Sequence, residues 1–207
     1  MNQQEFEDLF YERNPAGSVG ILKKVTIGIA GAGGLGSNIA VSLIRAGIKK
    51  LIVADFDCIE MSNLNRQQFF YHQVGALKVE ALKENLMKIN PYAEINVHCA
   101  KIGAENVCDI FGKADILVEA FDRADMKAML AAAWMSHYPD RYMIMASGLS
   151  GYGKSNKIQT QVSGKLIICG DQETVPEQGL LAPRVAIAAN HEANAVIEII
   201  LNGGLIK

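Results

Sequence analysis

Six residues, Gly31-Ala32-Gly33-Gly34-Leu35-Gly36, hold the spacing G-x-G-x-x-G. An apolar run (Val25, Ile27, Ile29) leads into them, and Leu35, Ile39, Leu43 and Ala46 follow at three- and four-residue intervals. Strand, glycine turn, helix is the context in which this motif handles phosphate. Glycines allow a tight turn and close backbone approach, and the helix N-terminus offers free N–H groups to an anion. Gly33 and Gly34 together keep side chains off the phosphate-facing surface. The chemistry is nucleotide binding, and the default nucleotide for this motif alone is a dinucleotide.

Other polar residues fall where such a fold would gather them. Asp55, about twenty residues beyond the turn at the end of the apolar run Leu51 to Ala54, suits ribose hydroxyls. Asp57 is either a second ligand or a turn residue. The stretch Ser62-Asn63-Leu64-Asn65-Arg66-Gln67-Gln68 is a polar insertion before the next helix. Arg66 could lay its planar fork across a phosphate, or the loop could simply be solvated. Lys78, near the start of a helix, reads from its position as a snorkelling surface lysine. Asp122 follows the strand Asp115 to Glu119, beside Glu119 on the same sheet edge as the glycine turn. It could hold Mg²⁺, N-cap the helix Arg123 to Tyr138, or do both.

The elements that must position these groups alternate strand and helix. An amphipathic helix in residues 1–14 ends at Pro15 and Gly17, and its Phe6/Leu9/Phe10 face is free to pack on a partner. After the glycine turn a helix closes at Gly47. A helix from Val74 to Ile89 carries Leu77, Ala81, Leu82, Leu86 and Ile89 on one face. Ile95 and Val97 alternate as a strand, Val107 to Phe111 is a short helix, and Arg141 to Ala146 is a further strand. Residues 157–162 and 165–168 alternate around Ser163-Gly164 as a β-hairpin. An acidic loop runs from Cys169 to Leu181, and an alanine-rich helix from Pro183 to Leu201 ends the pattern. The fold class is α/β and Rossmann-like: a mainly parallel sheet with helices on both faces, extended by C-terminal antiparallel strands. The expected unit is a single domain over 1–207.

Composition narrows the function classes. A net charge of -2 leaves no polyelectrolyte face for nucleic acid. No apolar run is long enough to span a membrane, and the polar, acidic N-terminus is unlike a signal peptide. Cys58, Cys99, Cys108 and Cys169 form no C-x-x-C, so no structural zinc is expected. Reduced, isolated cysteines fit the cytoplasm.

Taken in order, GAGGLGS (31–37), ADFD and SNLNRQ (54–57, 62–67), VGALKVEAL (74–82), Asp122 and APRVAIAANHEANAVIEIIL (182–201) resemble the E1-like adenylyltransferases of the ThiF/MoeB superfamily. The resemblance spans about Leu22 to Leu201. It implies condensation of the C-terminal Gly-Gly carboxylate of a ubiquitin-like sulfur carrier with ATP, releasing pyrophosphate. It further implies that Asp55 binds ribose and that Asn63, Arg66, Gln67 and Lys78 handle the triphosphate. Asp122 is then the Mg²⁺ ligand, and Arg13 the N-terminal arginine that reaches the partner subunit's ATP in a homodimer.

The sequence departs from the superfamily in lacking two C-x-x-C pairs and in stopping soon after its last helix. In these it is most similar to the short, zinc-free ThiF proteins associated with thiamine biosynthesis. The acidic loop from Asp171 to Gln178 occupies the position of the relatives' crossover loop, where it could cover a threaded Gly-Gly tail. Cys169 lies in the same region, as a sulfur acceptor or as a small apolar residue. Three other readings compete. An NAD-dependent oxidoreductase leaves Arg66, Lys78 and Asp122 without a role, and a non-catalytic adaptor has no use for them. Adenylation of a small molecule or of a tRNA base carboxylate is the third, its tRNA form disfavoured by the lack of a basic surface.

Overall fold

A computed structural model describes residues 1–204 of the chain, so the last three residues of the expected 1–207 unit lie outside the described residues. In chain order the elements are α1 (Gln3–Phe10), α2 (Ser18–Leu22), β1 (Thr26–Ala30), α3 (Gly34–Ala46), β2 (Lys50–Ala54), α4 (Lys78–Ile89), β3 (Glu94–His98), α5 (Val107–Phe111), β4 (Ile116–Glu119), α6 (Ala124–His137), β5 (Tyr142–Ala146), β6 (Gln159–Ser163), β7 (Leu166–Gly170) and α7 (Ala182–Asn202). The sheet runs β3-β2-β1-β4-β5-β7-β6, parallel throughout except for the β6–β7 hairpin. The expected fold class holds.

Period-two alternation sorts each central strand between two layers. Ile27, Ile29, Leu51, Val53, Ile116 and Val118 pack with α3, α4 and α7 on one face. Ala30, Ile52, Ala54, Leu117 and Met143 meet Phe111 of α5 and Trp134 of α6 on the other. Gly28 has no side chain because Phe111 and Leu117 fill its space: a β-carbon there would lie 2.9 Å from both. Small residues likewise set the spacing of α3 and α7, where Ala40 packs with Ala188, Ala189 and Ala193 in one buried cluster.

Several local expectations need correction. The N-terminal helix is only Gln3–Phe10, stopped by a turn, and a second short helix follows that periodicity did not reveal. Within α7, Ala188, Ala189, Ala193 and Ala195 are buried in the chain. Phe6 stacks on Phe10 at 5.0 Å and meets Tyr92 at a tilt at 5.6 Å, while Leu9 and Phe10 stay exposed. The fourth helix begins at Lys78 rather than Val74, because residues 71–73 form a 3₁₀ turn and Gly75 takes φ +90°. Residue 157 closes another such turn, so the hairpin's first strand starts at Gln159. Cys169 sits inside β7 and not in the loop after it.

α1 is fastened by an ionic knot at the end of the sheet opposite the glycine turn. A capping box between Asn2 and Glu5 starts it. Buried Glu7 then accepts hydrogen bonds from Lys49 at 2.7 Å and Lys23 at 3.1 Å. Tyr11 donates to the Ile44 carbonyl and Asn14 to that of Ala46, both in the last turn of α3. Burial alone would raise the Glu7 pKa, but the bonds from Lys49, Gln3 and Lys23 outweigh it and hold it at about 2, against an ordinary 4.5. A depressed folded-state pKa gives stability that is complete above the unfolded value and is lost on acidification. Denaturant titrations should therefore show stability falling between pH 4.5 and about 2, with a shallower fall in Glu7→Gln. Identical slopes for the two proteins would refute the knot's contribution.

Candidate nucleotide site

The chain leaves β1 toward β2 and β3, then returns to place β4 on the other side of β1. In open parallel sheets such a reversal leaves a crevice at the carboxyl ends, where ligands bind. The glycine turn fills that crevice. Gly31 takes φ +105° and donates its N–H to the Ala54 carbonyl at 2.8 Å. A β-carbon on Gly36 would stand 1.9 Å from the Gly31 carbonyl oxygen, so the turn closes on the helix only with glycine there. Gly34 is enclosed between Val185 of α7 and the Arg66 side chain, at 3.2 and 3.6 Å from a virtual β-carbon. Gly33 faces open space apart from the Gln67 amide nitrogen at 3.7 Å. No side chain caps α3, so its first-turn N–H groups remain for a ligand.

A chain of hydrogen bonds ties β2 to this turn. Asp55 accepts from the Ala32 N–H at 2.7 Å and, through its other oxygen, from the Asp57 N–H at 2.8 Å. Asp57 in turn accepts from Lys78 Nζ at 2.7 Å. Lys78 is thus a buried first residue of α4 held by a carboxylate, not the surface lysine its helical position implies. Asp57 is thus an ion-pair partner, a role that neither of its two sequence readings, second ligand or turn residue, contained.

The polar insertion is anchored and not merely solvated. Ser37 Oγ accepts from the Gln68 N–H at 3.1 Å, and Asn38 Nδ2 donates to the carbonyls of Gly34 and Arg66 at 2.6 and 3.0 Å. Arg66 lies along Gly34 and donates to Ser62 O and Asn65 Oδ1. Gln67 is buried with its Oε1 unpartnered among the described residues, the signature of an acceptor left for a ligand or water. Asn63 is buried too, but its Oδ1 accepts from Glu60 N–H at 3.0 Å and serves the local turn.

Asp122 is exposed and makes no hydrogen bond or ion pair among the described residues. The cap reading fails: α6 starts at Ala124, and its N-cap residue Arg123 makes no capping bond. A free carboxylate beside a phosphate cradle suits Mg²⁺, which takes one or two carboxylates plus substrate phosphates. Arg13 is exposed next to Tyr11 and Asn14, which dock on the far end of α3. That is about 20 Å of helix from the glycine turn, so the structure does not bring Arg13 to its own chain's site.

Sequence reasoning missed the opposite wall. Buried Arg184, at the start of α7, pairs with Asp171 and donates to the carbonyls of Gly153 and Lys154. Asp171 also accepts from the Glu173 and Thr174 N–H groups at 2.9 Å, and these bonds outweigh burial to hold its carboxyl below the usual range. Gly151 N–H bonds the Gly179 carbonyl, and Asn65 reaches Leu180, joining the loops after β5 and β7 to the insertion. The acidic pattern Asp171, Glu173, Glu177 hid this, because only contact with Arg184 distinguishes a clamp from a solvated loop. A groove of about 460 Å³ lined by Thr160, Ile187, Asn190, His191 and Asn194 shares no residue with the glycine turn and is not this site.

The sequence profile of the ThiF family matches residues 14–206. Ubiquitin-like modifier-activating enzyme 5 of Caenorhabditis briggsae is 29% identical over 212 residues, covering 90% of this chain and 48% of that protein. Adenylyltransferase and sulfurtransferase UBA4 of Candida glabrata is 28% identical over 189 residues, covering 87% and 43%. The chain thus spans about half the length of the curated relatives it matches. In fold it is similar to the E. coli tRNA N6-threonylcarbamoyladenosine dehydratase TcdA solved with ATP (TM-score 0.85, 19% identity, 97% of this chain and 95% of that one). It is also similar to E. coli MccB solved with ATP (TM-score 0.71, 23% identity, 88% and 58%).

Cys169 is no nucleophile in this arrangement. It is fully buried, and desolvation, with Glu192 nearby, pushes its thiol up to about 12. Thiolate is the reactive form. Alkylation of the native protein at neutral pH should label exposed Cys58 and Cys99 and spare Cys169, as peptide mapping would read. Rapid labelling of Cys169 would restore it as a sulfur acceptor.

Proposed function

Because the chain belongs to the ThiF family, we propose that it adenylates the C-terminal Gly-Gly carboxylate of a ubiquitin-like sulfur carrier protein, acting as a single adenylation domain. In its finer form the proposal is a ThiS-like carrier serving thiamine thiazole formation. The observation that carries the reading is the convergence on one sheet edge of an uncapped glycine turn, two cations (Arg66 and Lys78) and a free carboxylate (Asp122). Hydride transfer to a dinucleotide needs the first of these only.

In the proposed reaction a carboxylate oxygen of the carrier attacks the α-phosphorus of ATP. The bond to the β-phosphate bridging oxygen breaks, giving an acyl-adenylate and pyrophosphate. Negative charge builds on phosphate oxygens, so the protein's work is positioning and cationic stabilisation. The N–H groups of Gly34 to Gly36 and the fork of Arg66 line the phosphates, joined by Gln67 and, through the turn it shapes, Asn63. Lys78 supplies a charge already desolvated by burial. Asp55 keeps a lone pair on each oxygen for ribose hydroxyls. Asp122 would hold Mg²⁺, which neutralises phosphate charge when bound. The clamp of Asp171 and Arg184 supports the loops that would cover an extended Gly-Gly tail, a path free of side chains at Gly151, Gly153 and Gly179.

A homodimer belongs to the same proposal. Arg13 sits too far from its own glycine turn to act there, which favours service to a partner's site. Phe56, Met61, Phe70, Tyr71 and Val74 are exposed along the connection beside the nucleotide edge and offer apolar area for a second copy.

Exchange of labelled pyrophosphate into ATP, with a carrier ending in Gly-Gly, tests the reaction. Lys78→Ala should lower the rate on the order of 10²-fold, as loss of one preorganised stabilising group does. Asp122→Ala should abolish Mg²⁺-dependent exchange without the stability loss expected of a broken cap. Undiminished exchange in both variants, or calorimetric binding of NAD in preference to ATP·Mg, would overturn the assignment.

A further inference from the structure

Glu119 ends β4 in register with Ala30, the last residue of β1 before the glycine turn. Its side chain is fully buried. Lys127 Nζ donates to both carboxylate oxygens, at 2.8 and 3.1 Å, and the Phe121 N–H donates to Oε1 at 2.5 Å. Glu192 of α7 is also fully buried, and neither of its oxygens has a hydrogen-bond partner among the described residues. Burial raises both carboxyls above the usual range, and Glu119 adds to the effect on Glu192.

A buried carboxylate paired with one lysine, beside a second buried carboxyl that has no hydrogen-bond partner among the described residues, is an expensive way to fill a core, since replacing buried ion pairs by apolar residues is often neutral or stabilising. What the cluster supplies is geometry. By accepting from a backbone N–H two residues on, Glu119 fixes the turn Ala120-Phe121-Asp122, as aspartate side chains do in turns. Lys127, in the first turns of α6, grips the same carboxylate and locks the strand end to the helix. The Ala120 N–H meanwhile bonds the Ala30 carbonyl at 2.8 Å, and the Ala120 carbonyl oxygen packs 2.9 Å from a virtual β-carbon on Gly31. One buried carboxylate therefore controls the backbone between the glycine turn and Asp122.

We infer that Glu119 is a positioning residue: with Lys127 it holds the backbone from Ala120 to Asp122 in the conformation that offers the Asp122 carboxylate to nucleotide-bound Mg²⁺. This rests on the adenylation reading of the site. Residues that orient a metal ligand typically cost about 10–100-fold in metal affinity when removed. Glu119→Ala should therefore weaken ATP binding by that factor in the presence of Mg²⁺ and leave ATP binding in EDTA unchanged, both measured by calorimetry. Glu119→Gln keeps a carbonyl oxygen for the Phe121 N–H and should restore most of the Mg²⁺-dependent affinity.

Hydrogen exchange of the nucleotide-free protein supplies the second readout. The Phe121 amide should be protected in wild type and Glu119→Gln, and should exchange rapidly in Glu119→Ala. If Glu119→Ala does not fold, Lys127→Met, which leaves the Phe121 bond but removes the grip, should show a smaller loss of the same Mg²⁺-dependent kind. Equal losses with and without Mg²⁺, unchanged Mg²⁺-dependent affinity, or a Phe121 amide equally protected in Glu119→Ala would overturn the proposal. Failure of the wild type to bind ATP in either condition would overturn the adenylation reading itself, and that outcome is distinct because it leaves the exchange result untouched.

Discussion

The turn from β1 into α3 closes only because a β-carbon at position 36, which would lie 1.9 Å from the Gly31 carbonyl oxygen, is missing. That contact brings the first turn of the helix down onto the strand end. It leaves the N–H groups of the helix start without a side-chain cap. Every other feature of the nucleotide edge is referred to this frame. Asp55 reaches it through the Ala32 N–H, Ser37 and Asn38 carry the polar insertion on its outer side, and Val185 closes it from α7.

Charge is distributed around the frame with little redundancy. Aspartates 55 and 57 and Lys78 form a relay from the glycine turn to α4, so the lysine is desolvated without being left unpaired. Across the crevice Glu119 and Lys127 lock the end of β4, and Asp171 and Arg184 lock the loops beyond it. Each pair is buried at a desolvation cost, and each sits where a loop leaves the carboxyl edge of the sheet. Asp122 is the contrast: an exposed carboxylate with no hydrogen bond or ion pair among the described residues, on the same sheet edge as the glycine turn.

The positions at which sequence reading went astray share a cause. Lys78 looks like a surface residue because most helical lysines are, and only the return of the chain onto Asp57 buries it. Asp122 looks like a cap because it precedes a helix, but the helix starts at Ala124, one residue later than a cap at 122 requires. Cys169 reads as a loop residue because the apolar run ends at Ile168 and acidic residues follow, whereas β7 runs on to Gly170 and carries it into the core. Each misreading concerns a contact between residues far apart in sequence or a shift of one or two positions in a boundary.

Legible in the residues alone were the strand–turn–helix at residues 25–47, the alternation that makes the sheet parallel, the hairpin that ends it, and membership of the ThiF family. These are local signals: glycine spacing answers to sterics within six residues, and period-two or period-3.6 patterns answer to which face is buried. Which charges are paired was settled by packing. The partners of Lys78, Glu119, Arg184 and Glu7 lie 21, 8, 13 and 42 residues away in chain order, the last counted to Lys49. No periodicity encodes such pairings, because they arise where separate elements meet at a sheet edge, and desolvation there decides whether a charge is a solvated ornament of the surface or part of a site.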